Sequence, residues 1–463
     1  MDKTVHTAVI GAGLTGLTTA FYLEKENIDF VVLEKEDRIG GVIRTRSENG
    51  FIVEEGPNTG VLKEPEVAML FDDLDGTCTC ETASEKVKKR YILKNGKWQP
   101  LPMNPIQAVK TPLFTGKDKF RLLGEPFQRK GDDPLETLDK MVKRRMGESF
   151  LDFAVDPFIL GVYAGDPAAL VTKYALPKLY NLEQNYGSFI GGAFKKKFEK
   201  KDHIEKKATK KVFSVRGGLS NLTENLYRSA GKSRFLLKVE DITIIPGDDF
   251  FVIKGYIEDE KITIRARNVI TTTGSYTLPG MLPFVPPGVM ERIEKMHHAP
   301  VIQIGIGFDK WQGRKLDGFG GLIPYREKRD ILGVLFISSL LSGRAPSGGA
   351  LLSVFAGGTR RPGIFEKSDS EIESLVEKEF CSLMEVKEFN PSMFRIFRYR
   401  CAIPQYGRES VQKLEALEML QKRYKGLIIA GNLRDGIGMA DRIKQGRQLA
   451  EKINLQPRHK IEK

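Results

Sequence analysis

The sequence predicts a protein of mixed α/β and α+β class. A mostly parallel sheet domain is assembled from both ends of the chain and a middle piece. A domain with a mixed sheet is inserted between those pieces, together with a helical domain. Three observations predict this. Near the amino terminus an apolar strand runs straight into a glycine-rich turn and a helix, VHTAVIGAGLTGLTTAFYLEK. Near the carboxyl terminus KGLIIAGNLRDGIGMADRIKQGRQLAEKI repeats strand, glycine loop and helix. Between them, strands alternate with helical stretches, the pattern of a parallel sheet.

In the first piece, Val5 to Ile10 reads as a buried strand, Leu17 to Lys25 has helical spacing, and Phe30 to Leu33 is a second strand ending at Glu34. Gly11-Ala12-Gly13-Leu14-Thr15-Gly16 therefore stands in the βαβ context that gives GxGxxG its meaning. Gly11 makes the turn, Gly13 lets backbone approach a pyrophosphate, and Gly16 lets the helix pack closely. The helix amino terminus offers free N–H groups and a favourable dipole to the phosphates. Glu34, with Lys35 beside it, is placed to accept hydrogen bonds from a ribose diol. Arg38, Gly40, Gly41 and Val42 follow, and resemble the second glycine motif of FAD-dependent amine oxidases. That resemblance implies non-covalent FAD rather than NAD.

The closing segment is expected to return to the FAD domain, as in the glutathione-reductase-like fold, with Gly431 in its turn. Ile437, Gly438 and Met439 would meet the flavin at the start of the last helix, whose dipole favours negative charge there. The middle piece supplies VFSVRGGLSNLTENLYRSAG, then Val239 for the adenine, then a crossover at Thr271-Thr272-Thr273-Gly274. The expected FAD domain is 2–75, 212–277 and 400–458. The substrate domain is 76–100, 182–211 and 278–399, and the helical domain is 101–181.

Composition narrows the class. The chain has 463 residues, 41% hydrophobic and 29% charged, and a formal net charge of +13. It is long enough for two or three domains. No apolar run approaches the roughly 20 residues that span a bilayer, and the amino terminus does not read as a signal peptide. Cys78, Cys80, Cys381 and Cys401 fit no zinc or redox spacing, and suit a reducing, cytoplasmic setting. No metal site, no nucleic-acid module and no acid–base or nucleophile constellation is visible. The net positive charge suits an anionic partner. The lysine-dense stretch 195–211 reads as a solvated face or an anionic-membrane contact.

Several segments together resemble oxygen-dependent protoporphyrinogen oxidase and its coproporphyrinogen-oxidising bacterial relatives. These are EEGPNT (54–59), GVYAGDP (161–167), RGGLSNL, GFGGLIPY (318–325), AIPQY (402–406) and GIGMADRIKQG, in that order. The resemblance implies a flavoenzyme of haem biosynthesis that oxidises protoporphyrinogen IX or coproporphyrinogen III. Successive hydride transfers would go to FAD N5, with O2 reduced to H2O2 and no catalytic side-chain acid or base. It places Gly56, Pro57, Asn58 and Thr59 at the cofactor. It places Arg90 at a substrate carboxylate, Gly161 and Gly165 against the macrocycle, and Phe319, Gly320, Leu322 and Phe355 around it. It also implies a helical domain that can sit on the inner membrane face, and admits a homodimer and hand-over of product to a ferrochelatase. Asn432-Leu433-Arg434 and Met439-Ala440-Asp441-Arg442 depart from the commoner closing residues. Another flavin amine oxidase or desaturase, and a non-enzymatic FAD-binding protein, remain alternative readings.

Overall fold

The computed structural model describes residues 2–199 and 203–455. Part of the lysine-rich stretch, 200–202, and the last residues of the predicted FAD domain, 456–458, lie outside the described residues.

Val5, Ala8, Val9 and Ile10 are all buried, so strand Asp2–Ile10 is covered on both faces, as a central parallel strand must be. It pairs in parallel with Phe30–Leu33 on one side and Glu260–Thr271 on the other. Phe235–Leu236 and Leu427–Ile429 add parallel strands at the flanks, so the sheet takes pieces from both termini and the middle. Phe251–Ile257 and Glu240–Pro246 extend it antiparallel. Helices Leu14–Lys25 and Met439–Asn454 pack on each other over this sheet, where Gly446 lies against Thr15 and Thr18.

A second sheet runs in the order Met393–Pro404, His298–Phe308, Ala350–Gly357, Ile331–Leu335, Gly318–Leu322, Lys89–Lys94, Lys97–Pro100. It is mixed, because Gly318–Leu322 and Lys89–Lys94 run parallel. Its alternation is strict. Ile302, Ile304, Ile306, Leu352, Val354 and Ala356 join one apolar core with Ile372, Val376 and Phe380 of helix Asp369–Met384. The alternate residues face the other way. Two predicted boundaries move. Residues 400–404 complete the strand Met393–Pro404, because their backbone pairs with His298 and Ala299. Residues 182–199 pack with the helical layer rather than with this sheet. Glu183 and Ser188 are drawn into a buried ion cluster there: Arg145 bonds Glu125 and Glu183, and Ser188 bonds Glu125, each at 2.6 Å.

The helical layer contains Leu138–Arg145, Asp156–Tyr163, Pro177–Tyr186 and Phe189–Phe198. Helix Asp156–Tyr163 ends at Ala164, which adopts a left-handed φ of 46°.

Candidate functional site

The glycine loop is built as its sequence requires. Gly11 has φ of 101°, and a Cβ there would lie 2.9 Å from Thr272 Oγ1. A Cβ on Gly16 would overlap the Gly11 carbonyl, so the helix rests directly on the loop. A Cβ on Gly13 would meet nothing within 4 Å, so that flank of the loop is open. Gly13 also begins helix Leu14–Lys25 with no side-chain cap, leaving the first-turn N–H groups for a ligand. The Thr15 hydroxyl is buried without a hydrogen-bond partner. An open glycine, an uncapped helix and an orphaned hydroxyl fit a dinucleotide diphosphate.

The second glycine motif closes over the first. Gly40 N–H donates to the Ala12 carbonyl at 2.8 Å, and a Cβ on Gly41 would lie 3.2 Å from Gly13 Cα. Arg38 donates to the carbonyls of Ile39, Gly41 and Ile43, so its guanidinium shapes its own loop. Glu34 does more than await a ribose. Its carboxylate accepts Ala12 N–H at 2.6 Å and Glu36 N–H at 3.0 Å, latching the glycine loop to the second strand. A carboxylate has about four acceptor positions, so ribose hydroxyls still have a partner. Lys35 is exposed beside it. Val239 is buried, and its N–H donates to the Glu34 carbonyl at 2.9 Å. That bond joins the segment expected at the adenine to the same strand end.

The EEGPNT segment is held between the two sheets. Gly56 N–H donates to Gln303 Oε1 at 3.0 Å, and Gln303 Nε2 donates to the Glu54 carbonyl at 2.8 Å. Asn58 accepts from the Ser353 hydroxyl at 3.0 Å. Pro57 and Thr59, the flanking residues, are half-buried and intermediate in exposure. Glu54 itself is buried. Burial pushes its carboxyl up, while the Thr45 hydroxyl, Leu219 N–H and Arg344 pull it back. Val42 is 60% exposed next to Gly56, an open apolar side chain beside the cofactor loops.

The second sheet turns one face toward this segment. Register sets Ile92, Leu322, Gly333, Phe355, Gln303 and Phe397 in one row across six strands. Gly333, with no side chain, separates Leu322 from Phe355. Gln303 at the same row grips Gly56. The row therefore leads from the predicted substrate residues to the predicted cofactor segment. Arg90, on the same face as Ile92, is exposed, with its guanidinium 4.7 Å from the Phe319 ring centre. Gly320 has φ of 133°, and Val334 fills the space a side chain would need. Phe355 is half-buried against Leu160, Ala164, Ala299, Val301 and Leu332.

GVYAGDP takes a different part from the expected one. A Cβ on Gly161 would overlap Leu322, and one on Gly165 would overlap the Gln405 amide. Their missing side chains are replaced by protein, not by open space. The segment is a close-packing joint: Thr359 N–H donates to Ala164 at 2.8 Å, and Gln405 Nε2 to the Tyr163 carbonyl at 2.9 Å.

At the closing segment, Gly431 has φ of 95° and sits on Thr272 and Thr273. Gly438 begins helix Met439–Asn454, and its N–H donates to Asp441 at 3.0 Å. Asp441 also takes Lys63 at 2.7 Å. Ile437 and Met439 flank this turn, Met439 buried and Ile437 partly so. Gln303 and Tyr406 were not singled out in the sequence. Gln303 had a signal: one polar residue inside the apolar run PVIQIGIGF. Tyr406 had none beyond its place in AIPQY. Among the described residues, no group of three metal-ligating side chains occurs, and no helix is long and apolar enough to cross a membrane.

The model of the flavin-containing amine oxidoreductase family matches residues 14–454. The chain belongs to this family. It is an FAD-dependent oxidoreductase, and the open flank of the glycine loop leaves room for a dinucleotide. Protoporphyrinogen oxidase 2 of Arabidopsis thaliana is 30% identical over 96% of this chain and 93% of its own length. Coproporphyrinogen III oxidase of Bacillus subtilis is 25% identical over 96% of this chain and 97% of its own. A crystal structure from Exiguobacterium sp. 255-15, provisionally assigned as a protoporphyrinogen oxidase, superposes with a TM-score of 0.81 at 21% identity. It covers 98% of this chain and 99% of that one, and establishes the common fold of this family member.

Proposed function

We propose that this family member oxidises a porphyrinogen, protoporphyrinogen IX or coproporphyrinogen III, to the porphyrin. The observation that carries the reading is the sheet face joining Arg90 and Phe319 to Leu322, Phe355 and Gln303, in a chain similar over its full length to oxidases of both substrates. Arg90 is the carboxylate anchor: a guanidinium binds a propionate bidentately, and its stacking on Phe319 holds the fork in one plane. Leu322 and Phe355, partly covered by the Gly161 helix and partly exposed, would offer their remaining apolar surface to the edge of a flat disc. FAD held there would supply the redox chemistry, accepting a hydride in each of three rounds and returning the electrons to O2 as H2O2. The chain's part is to orient a bridge carbon and keep water away.

The helical region is the proposed membrane-facing side. Met103, Ile106, Val109, Phe120, Leu123 and Phe127 are exposed there, Phe127 at 90%. Lysines and arginines lie between them, the composition of an interfacial surface. Pairing of two chains through this side, and direct transfer of porphyrin to a ferrochelatase, are compatible with that placement.

The test is anaerobic. Holoprotein is mixed separately with each porphyrinogen, and the visible flavin band is followed. Bleaching is the expected result, and the faster substrate is the physiological one. A flavin that neither substrate reduces, with or without lipid, overturns the proposal and leaves the family membership untouched.

A further inference from the structure

The loop from Gly431 to Gly438 leads into the last helix, which lies against the dinucleotide loop through Gly446, Thr15 and Thr18. Asp435 and Gly436 take consecutive left-handed φ values of 64° and 96°. Aspartate and glycine tolerate such values, and here the surroundings also hold the bend in place. Three side chains do so. The Tyr406 hydroxyl reaches the carbonyls of Asn432 at 2.7 Å and Gly436 at 3.0 Å, one on either side of the bend. Arg442 donates to the Arg434 carbonyl at 2.9 Å and to Gln445 at 2.8 Å. Gln445 in turn accepts Gly431 N–H at 2.9 Å and donates to Asp435 at 2.8 Å.

Tyr406 is itself braced. Lys413 is 1% exposed, and its ammonium sits 4.9 Å from the Tyr406 ring centre and 3.5 Å from Met296 Sδ. It makes no ion pair among the described residues. A buried cation without a carboxylate is a cost to the fold, and a cation over an aromatic face returns only part of it. Next to Tyr406 in sequence, Gln405 points the other way. Its amide donates to the Tyr163 carbonyl and rests against Gly165. One dipeptide thus touches both the closing loop and the GVYAGDP joint, which packs on Leu322 of the substrate face.

We propose that Tyr406 is a positioning residue for the flavin. Its phenol, braced by the Lys413 ammonium, fixes the bend at 432–436 that delivers Ile437, Gly438 and Met439 to the ring end of FAD. Gln405 keeps that bend in register with the substrate face.

The test uses holoenzyme saturated with FAD and needs no porphyrinogen, so its failure is separate from failure of the substrate reading. Tyr406→Phe removes one oxygen and leaves the ring on Lys413. FAD release on dilution is expected to quicken about tenfold, from loss of one shared hydrogen bond to two partly buried carbonyls. The reduction potential of the bound flavin is expected to fall, because a slack loop moves the helix amino terminus away from the ring. The visible circular dichroism of the flavin changes with it. Lys413→Met is expected to move release and potential in the same direction by a smaller factor, and decides the matter if Tyr406→Phe does not fold. A lower melting temperature with unchanged potential and dichroism in both variants overturns the proposal, since it leaves Tyr406 and Lys413 a purely structural part. Unchanged release in both overturns it as well.

Discussion

Lys413→Met gives the sharpest quantitative prediction, because stability and flavin retention should move in opposite directions. Burial lowers the Lys413 ammonium from the ordinary 10.5 to about 8; Glu409 and Asp435 act against that, and Arg434 adds to it. His298, on the neighbouring strand, feels the same charge. Titrating near 8 rather than 10.5 corresponds to a penalty of about 3 kcal/mol for keeping the charge folded. The sign follows from which state holds the proton. Below pH 8 both states are charged, and the full penalty is present. Between pH 8 and 10.5 the folded protein sheds the proton while the unfolded chain keeps it, so stability rises. Above 10.5 the penalty is gone. Met has nearly the volume of Lys and suits the site beside Met296. The variant should therefore be more stable than the parent by about 3 kcal/mol at pH 7, and by less than about 1 kcal/mol at pH 10. Urea unfolding of both proteins with excess FAD, at the two pH values, measures this. A variant less stable at pH 7, or a difference that ignores pH, would show that Tyr406 and Met296 fully compensate the charge and refute the reasoning.

The other predictions concern the loops, the substrate face and the helical layer. Gly13→Ala should leave the melting temperature of the apoprotein nearly unchanged and abolish FAD retention. Its Cβ meets nothing in the protein and would occupy the open flank. Gly165→Ala should destabilise the fold by about 1–3 kcal/mol, read as a lower urea midpoint, because its Cβ overlaps the buried Gln405 amide. Arg90→Ala should raise KM for either porphyrinogen by about tenfold or more with kcat little changed, whereas Arg90→Lys should recover only part of it. Glu125→Gln should cost about 3–5 kcal/mol, since it leaves Arg145 buried with an incomplete set of partners. Burial alone would raise the carboxyls of Glu125 and Glu183, but hydrogen bonds from Ser188 and Phe189 N–H to the first, and from Arg144 and Gly131 N–H to the second, hold both below the ordinary value. Their contribution is thus present at neutral pH and lost as pH falls through those lowered values. An acid unfolding midpoint that Glu125→Gln leaves in place would contradict this.

What the sequence made legible was local. GAGLTG, the strand Phe30–Leu33 and the helix starting at Met439 each declare themselves within about twenty residues, because a tight turn or a helix start imposes its demands on adjacent positions. The discontinuous sheet was readable for the same reason, since both of its glycine turns carry their own strand and helix. The joints were not. Gly165 announces that no side chain fits, yet only the structure shows that Gln405, far along the chain, fills the space. Gly161 and Leu322 form a second such pair. A glycine beside a ligand and a glycine beside a distant side chain look alike in sequence, and the two are separated by what occupies the Cβ position. By that criterion Gly13 faces open space that a ligand can fill, whereas Gly161 and Gly165 face protein.

The same criterion explains why residues 182–199 were misplaced. The sequence places them in the mixed-sheet domain because the partner of Glu183 is not visible in it. A buried carboxylate must find a cation, and it finds Arg144 and Arg145 of helix Leu138–Arg145, some forty residues earlier in the chain. Burial sorts such charges into structural and free ones, and it sorts Lys413 into neither class. A lysine that lies in the core, makes no ion pair among the described residues and rests on the tyrosine that bends the cofactor loop costs stability at neutral pH. Packing alone would favour an apolar residue there. That leaves the loop it braces as the reason for its charge, and makes the opposite signs expected for Lys413→Met, a firmer fold with a looser flavin, the measurement that separates a tuned cofactor site from a tolerated defect.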